Sequence, residues 1–129
     1  MSAMLAIGVC ACGGVGAAAR YICDSYIKAL WRKTFAINVV AGLLAGLVAG
    51  LFAANTISPD CRLLLATGFL GGFSTFSTMM NETVTLLRNG KIACFIGYAL
   101  ASIVVPVMAI AYIALAVWTT VANLGEIPA

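Results

Sequence analysis

Charged residues are missing from four long stretches of this chain: residues 1–19, 34–59, 63–81 and 92–125. A helix needs about 20 apolar residues to cross a hydrocarbon core of roughly 30 Å. Each stretch is that long or nearly so, and the charges between them mark the turns. The pattern predicts four transmembrane helices, at about 3–27, 34–55, 62–88 and 92–121. Inside lipid every backbone polar group needs an internal partner, which leaves helices and closed barrels. Barrel strands alternate in short segments, and these runs are continuous. The fold class is therefore an all-α integral membrane protein, with residues 1–129 as a single four-helix domain.

Composition excludes other classes. Hydrophobic residues make up 64% of the chain and charged residues 9%, with a mean hydropathy of +1.11. Soluble domains carry about 25% charged residues. Seven basic and four acidic side chains cannot cover a water-soluble enzyme. A disordered binding segment needs low hydrophobicity. No basic residue precedes the first apolar run, so it lacks the n-region of a signal peptide and reads as a retained span. With no histidine, the commonest general base and metal ligand is missing. Cys10 and Cys12 point to different helix faces, and all five cysteines read as small packing residues.

Four spans place the loops after the first and third helices on one side. These hold Lys28, Arg32, Lys33, Arg88 and Lys91, against Arg62 alone on the other side. The positive-inside rule puts the basic side in the cytoplasm and both termini outside. The net charge of +3 is thus a topology signal, not a nucleic-acid patch.

Small residues recur every four positions at Gly42, Gly46 and Gly50, and at Gly8, Cys12 and Gly16. This spacing brings helix backbones together in lipid. The third span differs. Gly71 and Gly72 adjoin at mid-span, and Ser74, Thr75, Ser77 and Thr78 follow. Glycine weakens a helix by about 1 kcal/mol relative to alanine, so a break is expected near 71–75. An unbroken helix with packing glycines suits the composition equally well. A break would free carbonyls for a cation and N–H groups for an anion.

Asn38 lies in an otherwise apolar run, and Tyr98 and Ser102 share a helix face. With the hydroxyls of the third span they form an expected polar track across three helices. Its uncharged donors suit a small anion that sheds part of its water. Phe73 and Phe76 can add ring edges, the positive end of the aromatic quadrupole.

Three motifs in this order resemble the Fluc (CrcB) family of fluoride channels. They are Gly13-Gly14-Val15-Gly16-Ala17-Ala18-Ala19-Arg20-Tyr21, Asn38-Val39-Val40-Ala41-Gly42, and the run from Gly68 to Thr78; Glu82 also falls at a family position. The resemblance implies an antiparallel dimer in a bacterial inner membrane, with the broken third helices crossing at its centre. It implies a structural Na⁺ held there by the carbonyls of Gly71 and Ser74. It implies fluoride pathways past Asn38, Phe73, Phe76, Ser77, Thr78, Met79, Tyr98 and Ser102, with Arg20 near a vestibule. Met79 stands where the family usually has a second phenylalanine, Lys33-Thr34 where it has Gly-Thr, and Ser74 where a threonine is common. The charge bias points to fixed topology. Pairing with an oppositely oriented homologue, in which one pore decays, then accounts for Met79; self-pairing is the alternative.

Three other functions compete with this one. A small multidrug-exporter-like transporter needs an embedded acid in its first helix, and Asp24 lies beside the basic loop. A membrane enzyme needs more acidic ligands than Asn81 and Glu82 provide, so no catalytic activity is expected. A non-transporting membrane subunit would show no flux at all.

Overall fold

The computed structural model describes residues 2–26 and 30–125, with side chains from residue 33 in the second segment. It is helical throughout. The first two helices are α1 (Ala3–Tyr26) and α2 (Leu30–Ala53). A third span follows in pieces: α3 (Pro59–Arg62), a π-helical run (Leu63–Leu70), α4 (Gly71–Phe73) and α5 (Phe76–Arg88). The last helix is α6 (Ile92–Gly125). Among the described residues, four spans are long and apolar enough to cross a membrane.

Boundaries differ modestly from the sequence expectation. α2 begins at Leu30 and ends at Ala53, not at 34 and 55, and α6 runs to Gly125 rather than 121. The third span begins at Pro59, because Ser58 caps it. Its hydroxyl accepts the Cys61 N–H at 3.2 Å, and Pro59 fills the first turn. The expected end of the first span at 27, Lys28 and the side chain of Arg32 lie outside the described residues.

Two helix ends are closed by the same device. After α2, Asn55 takes a φ of 56°, and the N–H of Thr56 reaches back to the Leu51 carbonyl at 2.9 Å. After α5, Gly90 takes a φ of 71°, and the N–H of Lys91 reaches the Leu86 carbonyl at 3.0 Å. A left-handed residue followed by a six-to-one bond is the Schellman closure, which favours glycine or asparagine.

The bundle packs as two pairs. α1 lies on the π-helical run and α4, and α2 lies on α6. Both expected small-residue ridges serve these contacts. A Cβ on Gly42 would sit 2.8 Å from the Pro106 carbonyl oxygen, and one on Gly46 would sit 2.7 Å from that of Ile110. On the other pair, a Cβ on Gly16 would sit 2.0 Å from the Phe69 carbonyl oxygen, and one on Gly72 equally close to that of Gly13 at 2.0 Å. At these points helix backbones touch, which only small residues allow. Where the pairs meet, Ile37, Ala41 and Phe73 form a buried core, flanked by Ala19, Cys23 and Phe69.

Candidate functional site

The third span breaks at Ser74 and Thr75, inside the stretch where the glycines and hydroxyls place it. Ser74 is extended (φ −70°, ψ 160°), and so is Thr75 (φ −142°, ψ 106°). A break this deep orphans backbone donors and acceptors, each costing several kcal/mol in lipid. The neighbouring helices supply the partners. Asn38 accepts the Thr75 N–H at 2.9 Å through Oδ1 and donates from Nδ2 to the Thr75 carbonyl at 3.0 Å. One carboxamide thus satisfies both backbone groups of a single residue, as a paired strand would. Arg20 donates from Nη1 to the Ser74 carbonyl at 3.4 Å. Thr75 restarts the helix. Its hydroxyl accepts the Thr78 N–H at 3.4 Å and donates to the Thr78 hydroxyl at 2.8 Å.

These bonds withdraw the usual helical donor from two carbonyls. In a continuous helix the Thr75 N–H would close on the Gly71 carbonyl, but it is committed to Asn38. The Thr78 N–H would close on Ser74, but it is committed to the Thr75 hydroxyl. Carbonyl oxygens suit a hard cation, and Gly71 and Ser74 carry the two that the family resemblance implies as Na⁺ ligands; the Ser74 oxygen also accepts from Arg20. Among the described residues, no group of three His, Cys, Asp or Glu side chains could hold a metal.

The break opens onto a groove of about 440 Å³ between α2, the third span and α6. Asn38, Gly71, Ser74, Thr75, Phe76, Met79 and Ser102 line it. Phe76 is 69% exposed at its edge, while Met79 is 3% exposed. Ser102 brings a buried hydroxyl with no hydrogen-bond partner meeting ordinary geometry, the Tyr98 phenol being its interacting neighbour. Pro106, four residues on, lacks the N–H that would close on the Ser102 carbonyl. The groove therefore sets the hydrogen-bonded Asn38–Thr75 pair beside the buried Ser102 hydroxyl.

Not every expected pathway residue faces this groove. Phe73 lies away from it, its ring buried against Ile37 and Ala41 and stacked on Phe69 at 5.9 Å. The turn of the chain at Ser74 directs Phe73 and Phe76 to different sides. Ser77 and Thr78 are exposed and do not line the groove. Tyr98 belongs to a second polar cluster. Its hydroxyl donates to Glu82 Oε2, and the fully buried Thr34 donates to Glu82 Oε1 at 2.7 Å. Sequence reasoning passed over Glu82 and Thr34 as site residues. The available signal was an acid at membrane depth, which needs a named partner by default.

A multi-pass membrane protein with a broken span, a doubly clamped break and a largely apolar groove that carries Asn38, Ser74, Thr75 and Ser102 belongs to a narrow class, that of ion-handling helical bundles. Residues 7–115 match the family described as CrcB-like protein, Camphor Resistance (CrcB). The chain is 52% identical to the fluoride-specific ion channel FluC 3 of Bifidobacterium longum, over 86% of this chain and 96% of that one. It is 36% identical to FluC 1 of the same strain, over 80% and 88% respectively. A fluoride-specific ion channel FluC of Chlorobium phaeobacteroides is 39% identical over 80% and 83%. The chain belongs to the CrcB family.

Proposed function

We propose that this chain forms a fluoride-selective passive channel that lets fluoride leave the cytoplasm. The observation that carries the reading is the Asn38-clamped break at Ser74–Thr75, set at the groove beside the buried Ser102 hydroxyl. Amide and hydroxyl donors replace the water of a small anion, and none of them carries a charge that would trap it. The relatives named fluoride-specific ion channels, at 52% and 39% identity, support the choice of ion. Hydrogen fluoride crosses bilayers as a neutral acid and dissociates in a less acidic cytoplasm. An inside-negative potential then favours exit of the anion by about 2.3 kcal/mol per 100 mV, so a passive pore suffices.

The functional unit in this reading is an antiparallel dimer in a bacterial inner membrane, with both termini outside. The groove and the exposed Phe76 ring give a second subunit something to cover. The Gly71 and Ser74 carbonyls of each subunit would hold the Na⁺ between the two breaks. Bound there, the ion supplies fixed positive charge at the crossing. The partner in this proposal is an oppositely oriented homologue. Three features support it: the basic bias of one side, Met79 in place of an aromatic ring, and the presence of two such relatives in one Bifidobacterium longum strain.

Fluoride efflux from proteoliposomes tests the reading, followed with an electrode while a potassium ionophore shunts the voltage. Rapid fluoride release without chloride release is expected when the chain is reconstituted with its homologue. Equal rates for the chain alone would replace the heterodimer by a homodimer. No release from either preparation would defeat the channel assignment.

A further inference from the structure

A second cleft, of about 400 Å³, lies on the basic side of the bundle and is shared by none of the break's residues. Phe35 near the start of α2 forms one wall. The start of α6 forms another, with Cys94, Gly97, Tyr98 and Ala101 on one helical face. Among the described residues, Lys91, the residue before α6, is the one charged group in the lining. The apolar walls and the volume suit a molecule larger than an ion. Gly97 leaves the floor bare: a Cβ built there meets nothing within 4 Å.

We propose that this cleft is a binding site for an anionic phospholipid, its acyl chain between Phe35 and the α6 face and its phosphate at Lys91. Lys91 stands where 34 residues of membrane-spanning helix begin, which is headgroup depth. A basic residue there attracts anionic lipid, and among the described residues no acid in the lining opposes it. The N-terminal end of α6 adds partial positive charge at the same level. The inner wall is Tyr98, whose hydroxyl holds Glu82. An occupant therefore braces one arm of the polar cluster. The inference rests on the membrane-spanning architecture and not on the ion transported.

Tryptophan quenching by brominated lipids tests it directly. Trp31 and Trp118 are replaced by phenylalanine, and Phe35→Trp places the reporter in the cleft. In phosphatidylcholine vesicles, brominated phosphatidylglycerol at low mole fraction should quench about fivefold more effectively than brominated phosphatidylcholine, the preference one lysine near the surface gives. Lys91→Gln should bring that ratio to about one. Gly97→Leu should fill the cleft and reduce quenching by either lipid. Equal quenching by the two lipids, or a ratio unchanged in Lys91→Gln, would reduce the cleft to ordinary lipid contact and overturn the proposal. Absence of quenching by both would overturn it too, showing that protein covers the cleft. Fluoride efflux plays no part in the readout, so failure of the channel reading leaves this result intact.

Discussion

The two halves of the third span are held in opposite ways. Before the break, the π-helical run and α4 press their backbone against α1, with Gly16 and Gly72 at the contact points. After it, α5 meets α2 and α6 through side chains: Asn38 holds Thr75 at its cap, and Glu82 joins Thr34 and Tyr98. The first half is fixed by shape, where an added atom has nowhere to go. The second half is fixed by polar bonds, which exchange partners without moving the backbone. A pore needs both kinds of hold, one that keeps the break at a fixed depth and another that keeps its donors negotiable.

That contrast fails if the first half tolerates bulk. Gly16→Ala and Gly72→Ala each place a Cβ 2.0 Å from a backbone oxygen of the opposing helix. We expect losses on the order of 3 kcal/mol or more, beyond ordinary overpacking because no flexible side chain can yield. Thermal unfolding in detergent should show a much lowered Tm or no folded fraction. An unchanged Tm would mean that α1 and the third span separate freely.

The second half should respond through function first. Asn38→Leu strips both partners from Thr75, at about 1–3 kcal/mol for each unsatisfied group. Fluoride efflux should fall at least about tenfold, the factor that 1.4 kcal/mol represents, while a folded protein persists. Asn38→Asp keeps the acceptor but loses the donor to the Thr75 carbonyl, and should not rescue flux. Glu82→Gln is milder. The new amide still accepts from one hydroxyl, and the other must turn to accept a bond, at a cost of about 1 kcal/mol. Flux should drop severalfold with little change in Tm. Wild-type flux in Asn38→Leu would remove the break from the pathway.

What the sequence reveals follows from which forces act locally. The four spans are legible because charge is excluded from lipid over whole helices. The break is legible because Gly71-Gly72 and the hydroxyls that follow weaken a helix where they stand. Asn38 shows itself as a lone amide in an apolar run. The π-helical run is not legible: Leu63 to Leu70 carries no marker that separates a wide turn from an ordinary one, and its geometry comes from packing against α1. The burial of Phe73 was equally hidden, since the side a ring faces depends on how the chain turns at Ser74. Thr34 stayed invisible because its role exists only once Glu82, far along the chain, is brought to it at 2.7 Å.

The smallest expected effect is the sharpest control on the shape argument. Gly14 adjoins Gly13, whose carbonyl meets Gly72, yet a Cβ on Gly14 itself meets nothing within 4 Å. If proximity in the motif were what mattered, Gly14→Ala would be as harmful as Gly16→Ala. If backbone contact is what matters, Gly14→Ala should leave Tm unchanged or raise it, since alanine favours the helix by up to about 1 kcal/mol. The two variants add the same methyl group to the same helix two residues apart. A marked loss of stability in Gly14→Ala would place another surface against that face of α1, and a second subunit is the first to test for there by crosslinking.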